Sequence, residues 1–150
     1  MGRLRDKVAL ITGGASGLGK ATGQLMAKEG ATVILTDLQE VEGTAVSKQI
    51  IDNGGKCSFM KQDTTSEEGW REICDYILER HGHLDILLNG AGVGGSGIEI
   101  EDMDFSIWRN CLSVYLDGVF LGCKYGIKAM RKGRGGSIIN ISSILGFAGL

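Results

Sequence analysis

Short runs of apolar and β-branched residues alternate along the chain with longer stretches of helical periodicity. Val8, Ala9, Leu10 and Ile11 lead through Thr12 into a glycine-rich turn, and a helix is predicted from about Leu18 to Lys28. After Gly30, residues 32–36 form a β-branched run ending at Asp37. Residues 40–53 carry helix formers with weak periodicity and stop at Gly54 and Gly55. A third strand is predicted over 57–61. Asp63, Thr64, Thr65 and Ser66 then supply capping side chains to an amphipathic helix, in which Trp70, Ile73, Cys74, Ile77 and Leu78 recur at i, i+3, i+4, i+7 and i+8.

Residues 84–88 read as a fourth strand, 89–97 as a glycine-rich loop and 99–104 as an acidic turn. One long helix is predicted over 106–132, with Trp108, Leu112, Tyr115, Val119, Cys123 and Met130 near one face. Gly118, Gly122 and Gly126 line one side of it; each costs about 1 kcal/mol of helix propensity, which implies close packing there. Residues 137–141 read as a fifth, buried strand, followed by Ser142 and Ser143.

Five β-α repeats with apolar strands imply an α/β fold: a doubly wound parallel sheet with helices on both faces. Ligands of such sheets bind outside the carboxyl ends of the strands. The residues to inspect therefore follow each strand: Gly13 to Gly19, Asp37, Asp63, Asn89 to Gly92, and Ser142 with Ser143.

Composition narrows the classes. The 150 residues suit one domain, able to bury about 68–70% of the surface its unfolded chain exposes. The net charge of −2, with both signs mixed along the chain, gives no basic stripe for nucleic acid and no basic face for a membrane. No apolar run is long enough to span a bilayer, and the first residues lack a secretory apolar segment, so a cytosolic location is expected. Cys57, Cys74, Cys111 and Cys123 form no C-x-x-C pair, so buried free thiols are expected rather than a disulfide or a metal site. Glycine is the outlier at 25 residues, while proline is absent.

Gly13, Gly17 and Gly19 stand in a G-x-x-x-G-x-G spacing between a strand and a helix. There the turn's N–H groups and the positive end of the helix dipole attract an anion, most simply a phosphate, although a flexible turn without a ligand has the same composition. Gly14 to Lys20 also reads as the start of a nucleoside-triphosphate loop, but Ala21 stands where a magnesium-binding hydroxyl belongs. Asp37 follows Gly19 by 18 residues at the end of the second strand. A carboxylate there can accept hydrogen bonds from the adenosine ribose and repel a 2′-phosphate, or it can simply cap a turn. Leu38 follows it, and neither Arg nor Lys occurs at Gly14, Ala15 or Ser16, so the cofactor expected is NAD rather than NADP.

Thr12-Gly13, Gly17-Leu18-Gly19, Asp37, Asp63, Asn89-Gly90-Ala91-Gly92 and Asn140-Ile141-Ser142-Ser143 together resemble the short-chain dehydrogenase/reductase family over essentially the whole chain. The resemblance implies a Rossmann-type domain and hydride transfer between a nicotinamide and an alcohol or carbonyl. It implies a homodimer or homotetramer assembled partly through the long helix. It places Gly13, Ser16, Gly17, Leu18, Gly19, Asp37 and Leu38 around the cofactor, Asp63 and Thr64 at the adenine, and Asn89, Gly90 and Ala91 beside the adenine ribose. Ser143 would be the catalytic serine holding the substrate oxygen; the residue alone reads equally as a strand-end cap.

Three departures stand out. Gly90 replaces the second asparagine of the family's Asn-Asn-Ala-Gly motif. Tyr115 stands where the long helix of the family carries an asparagine on a water-mediated proton path; it can offer a hydroxyl or fill space, and its helical spacing favours packing. The family's Tyr-x-x-x-Lys pair, general acid/base and its pKa-lowering partner, follows the serine by roughly a dozen residues, beyond Leu150. The expectation is therefore the amino-terminal part of an enzyme, a Rossmann-type domain truncated before its last strands, which interconverts a secondary alcohol and a ketone. The alternative is a dinucleotide-binding or regulatory module without the chemistry. The small apolar stretch from Gly92 to Ile98 would border the pocket and points to an uncharged, alicyclic or steroid-like alcohol.

Overall fold

The computed structural model describes residues 2–94 and 97–144. Residues 95 and 96 of the loop expected to border the substrate lie outside them. The elements run β1 (Val8–Thr12), α1 (Gly17–Lys28), β2 (Thr32–Asp37), α2 (Glu40–Asp52), β3 (Lys56–Lys61), α3 (Glu67–His81), β4 (Ile86–Asn89), a 3₁₀ turn (Ile100–Asp102), α4 (Phe105–Leu112), a π turn (Ser113–Asp117), α5 (Gly118–Met130) and β5 (Ser137–Asn140). All strands are parallel, in the order β3-β2-β1-β4-β5. The order reverses between β1 and β4, and a crevice opens at such a switch point at the carboxyl edge.

Alternation along the strands divides the core into two layers, because successive side chains point to opposite faces. Val8, Leu10, Ile34 and Leu87 pack with Trp70, Ile73 and Ile77 of α3 and Leu121, Tyr125 and Ala129 of α5. Ile11, Val33, Leu35 and Leu88 pack on the other face with Ala27 of α1 and Val46 and Ile50 of α2. This is the doubly wound, Rossmann-like sheet expected from the sequence. The α3 stripe is buried as its spacing predicts. Its ends are fixed by Ser66, whose Oγ accepts from the Gly69 N–H at 3.1 Å, and by Gly82 in the left-handed region at φ 78°.

The long helix differs from its sequence reading. It is broken by the π turn, and the face on the sheet is the glycine stripe itself: Gly118, Leu121, Gly122, Tyr125, Gly126, Ala129 and Met130 are the buried residues of α5. Of the residues read as one face of the long helix, Met130 is buried, Leu112, Val119 and Cys123 are half-buried and Trp108 and Tyr115 are exposed; Trp108, Leu116 and Phe120, at 48%, 62% and 63%, form an apolar face uncovered among the described residues. The missing Cβ atoms let the helix lie directly on Thr64, Asn89, Trp70 and Leu87. The fifth strand, expected to be buried, is largely exposed, because only β4 and a few residues of α5 lie against it among the described residues. All four cysteines are free, but only Cys74 is buried, where desolvation pushes its thiol up to about 12; the other three are half-buried.

The amino-terminal segment is tied to the end of α1 by Glu29. Its carboxylate accepts from the Gly2 N–H at 3.0 Å, the Arg3 N–H at 3.2 Å and Arg3 Nη2 at 3.3 Å, and these bonds hold its pKa down at about 2 instead of 4.5. A carboxyl group whose folded pKa is depressed contributes stability above its unfolded value and loses it as the pH falls through the folded one. The Gly2 and Arg3 amide NMR signals are therefore expected to move toward disordered positions between about pH 4.5 and pH 2. In Glu29→Ala, which has no acceptor for either N–H, they should occupy those positions already at neutral pH.

Candidate active site

The turn between β1 and α1 is closed by backbone contacts that only glycine permits. Gly13 has φ 69°, and a Cβ there would lie 2.6 Å from the Gly90 carbonyl oxygen and 2.9 Å from the Ala91 Cα. At Gly19 a Cβ would overlap the Gly13 carbonyl. Gly17 is the opposite case: φ is 49° and none of the described residues lies within 4 Å of the Cβ position, so the start of α1 is open on that side. The first N–H groups of a helix have no intrahelical acceptor, and here they point toward that space together with the positive end of the dipole.

Asp37 at the end of β2 is fastened to this turn. Its Oδ2 accepts from the Ala15 N–H at 3.0 Å and its Oδ1 from the Gln39 N–H at 3.1 Å, while the Gly14 N–H donates to the Thr36 carbonyl at 3.0 Å. The carboxylate is thus oriented at the rim of the crevice, 22 residues from the turn it holds. Asp63, after β3, accepts from the N–H and Oγ1 of Thr65, both at 2.8 Å. The neighbouring Thr64 carbonyl accepts from the indole of the fully buried Trp70 at 2.8 Å.

Thr12 joins the two halves of the sheet. Its hydroxyl donates to the Leu88 carbonyl at 3.4 Å and accepts from the N–H groups of Gly90 and Ala91 at 3.0 and 3.1 Å. Sequence reasoning took Thr12 as the strand end leading into the turn and as part of the Thr12-Gly13 motif, without assigning its hydroxyl a role; that role rests on partners more than 70 residues away.

These elements enclose a cleft of about 380 Å³. The structure brings Gly13, Ser16, Gly17, Leu18 and Gly19 of the first turn to one wall, and Asp37 with Leu38 to the next. Asp63 and Thr64 line it from β3, and Gly90 and Ala91 from β4. Asn89 sits behind that wall, where its Nδ2 donates to Asn140 Oδ1 at 2.8 Å across β4 and β5 and its buried Oδ1 has no partner among the described residues. Ser143 lies exposed past the end of β5, on the same edge of the sheet but outside the lining of this cleft.

Four contributors, Gln39, Gln62, Val114 and Tyr115, were not singled out from the sequence as cleft residues. Gln62, only 4% exposed, lines the cleft with both amide atoms unpaired among the described residues, and Val114 and Tyr115 reach it from the π turn. The Tyr115 hydroxyl donates to the Val93 carbonyl at 2.6 Å and its ring lies against Gly92, so this half-exposed side chain packs on the glycine loop rather than in the core. Among the described residues no group of three or more His, Cys, Asp or Glu side chains could hold a metal ion, and no helix is long and apolar enough to cross a membrane.

A cleft at the switch point of a parallel sheet, floored by a glycine turn and a helix start, coincides with a match of residues 7–150 to the short chain dehydrogenase family. The chain belongs to that family. Short-chain dehydrogenases use nicotinamide dinucleotide cofactors, and the open cradle at Gly17, with Asp37 oriented beside it, fits the diphosphate and ribose of such a molecule. Across 149 residues the chain is 40% identical to a cyclopentanol dehydrogenase of Comamonas testosteroni, covering 99% of this chain and 59% of that protein. It is 42% identical to a trans-4-hydroxycyclohexanecarboxylate dehydrogenase of Sinomonas cyclohexanicum, covering 98% and 58%. It is 41% identical to an NADP-dependent (R)-specific alcohol dehydrogenase of Lentilactobacillus kefiri, again covering 98% and 58%. The chain thus spans about three fifths of the length of these relatives.

Proposed function

We propose that the protein is an NAD-dependent dehydrogenase that interconverts an alicyclic secondary alcohol and its ketone. The observation that carries the proposal is the Asp37 carboxylate, fastened to the glycine turn through the Ala15 N–H and lining the cleft. In this reading the α1 N-terminus and the turn amides hold the diphosphate, Asp37 accepts from the adenosine ribose hydroxyls, and Leu38 lies beside it. Asp63 and Thr64 flank the adenine, and the backbone of Asn89, Gly90 and Ala91 flanks its ribose. Bound NAD would take the hydride from the carbinol carbon. Ser143 would hold the alcohol oxygen while its proton leaves; the Tyr-x-x-x-Lys pair that accepts it in the family does not follow Ser143 within residues 144–150. In this reading the working enzyme is a cytosolic homodimer or homotetramer whose contact includes the exposed face of α4 and α5.

Family membership leaves the substrate open, and two features favour a ring alcohol. The loop from Gly92 to Ile98 is small and uncharged, and two of the relatives above are named for alcohols on five- and six-membered rings. The intact protein, titrated with NAD in a calorimeter and then mixed with cyclopentanol, cyclohexanol and a 3-hydroxysteroid, is expected to bind NAD and to gain the absorbance of reduced nicotinamide. Binding without any such gain would favour the regulatory module, and no binding would remove the proposal.

A further inference from the structure

The cleft wall formed by residues 90–94 is held from both ends, and only one end belongs to the sheet. Three of these five residues are glycine, so the segment has an unusually large conformational freedom to lose when it is ordered. Thr12 anchors its start through the Gly90 and Ala91 N–H groups. At the other end the Tyr115 hydroxyl donates to the Val93 carbonyl at 2.6 Å. The Tyr115 ring reaches that carbonyl by crossing Gly92, where a Cβ would come within 2.8 Å of the Tyr115 hydroxyl oxygen and 3.0 Å of Cε1. Glycine at 92 and tyrosine at 115 are thus a matched pair: the first leaves the space through which the second passes.

The backbone that delivers Tyr115 is equally particular. The π turn Ser113–Asp117 widens the helix by a residue, and it sets Val114 and Tyr115 side by side on the cleft while α5 keeps its glycine stripe on the sheet. Such single π turns inside α-helices are frequent at functional sites.

We propose that Tyr115 is a positioning residue that latches the 90–94 segment against the cleft and so raises the affinity for the adenosine half of the cofactor. This inference rests on the reading of the cleft as a dinucleotide site. The argument is one of populations: a ligand that needs the wall in place binds more weakly by the fraction of molecules in which the wall is formed. One neutral hydrogen bond shifts that fraction enough for a change of about three- to tenfold.

The test compares the intact protein with Tyr115→Phe, which keeps the ring and removes the hydroxyl. Hydrogen exchange without ligand is expected to accelerate in residues 90–94 and to stay unchanged in β1 and β2. The dissociation constants for NAD and for ADP-ribose are expected to rise together by about three- to tenfold at an unchanged melting temperature. A merely structural role would move the melting temperature with the affinity. Unchanged exchange at 90–94 would overturn the latch, and so would faster exchange with unchanged affinities. Failure of the unsubstituted protein to bind NAD or ADP-ribose would instead strike the dinucleotide reading, leaving the exchange measurement to decide whether the latch exists.

Discussion

Asp37→Asn is expected to shift the ratio of NAD to NADP affinities by about 100- to 1,000-fold, the largest effect of any single substitution on the cofactor. Two contributions add. Loss of the negative charge removes a repulsion toward a 2′-phosphate that, for charges a few ångström apart near a protein surface, is worth about 1.5–3 kcal/mol and raises NADP affinity roughly 10- to 100-fold. Replacing an ionised acceptor with a neutral one weakens its bonds to the ribose hydroxyls and lowers NAD affinity by about tenfold. Asparagine is the informative replacement because its carbonyl oxygen can still accept from the Ala15 N–H, so the glycine turn keeps the contact that Asp37 makes at 3.0 Å. Asp37→Ala would lose that contact as well and confound turn geometry with charge. Calorimetric titration of both dinucleotides into the two forms of the protein measures the ratio; an unaltered ratio in Asp37→Asn would place the ribose elsewhere. Kinship cannot make this choice, since a relative 41% identical to the chain is NADP-dependent by name.

What the sequence made legible is what is decided locally. The strand, glycine turn and helix of residues 8–28 are signalled by neighbouring residues, because the turn needs glycine at fixed offsets from the strand that enters it. The same is true of α3, whose apolar stripe and Ser66 cap lie within one segment. From alternation and parallel connection the carboxyl edge followed, and with it Gly13, Asp37, Asp63 and Ala91 as residues to inspect. The parts that sequence reading missed depend on contacts between distant segments. Thr12 looks like any strand residue until β4 is placed beside it. The positions that periodicity joined into one face, from Trp108 to Met130, mix exposed, half-buried and buried side chains, whereas the buried face of α5 is marked largely by side chains that are absent. Gly118, Gly122 and Gly126 implied close packing, yet only the sheet shows that this close contact is the core contact. The π turn decouples the two helices, so one continuous period across 106–132 joins faces that are separate in space.

A paired substitution makes the same distinction quantitative: Gly122→Ala is expected to destabilise the protein by about 2 kcal/mol, and Gly69→Ala to stabilise it by about 0.5–1 kcal/mol. In both helices alanine improves propensity by about 1 kcal/mol, so the sign is decided by what the new methyl meets. At Gly69 it meets Ser66 atoms at 3.5 Å, an ordinary van der Waals distance. At Gly122 it would overlap the Asn89 Oδ1 and lie 2.9 Å from Trp70 Cη2 and 3.0 Å from Asn89 Cγ. Neither neighbour can yield freely. Trp70 is fully buried with its indole N–H on the Thr64 carbonyl at 2.8 Å, and the Asn89 amide is bonded to Asn140 at 2.8 Å. Overpacking of this kind costs about 1–3 kcal/mol or somewhat more, which exceeds the propensity gain. Melting temperatures should therefore fall by about 4–8 °C in Gly122→Ala and rise by about 1–4 °C in Gly69→Ala. Because Thr64 and the strand end at Asn89 form part of the cleft surroundings, Gly122→Ala should also weaken NAD binding, whereas Gly69→Ala should leave it unchanged. Equal melting shifts of the same sign in the two variants would mean that α5 does not lie on Asn89 and Trp70.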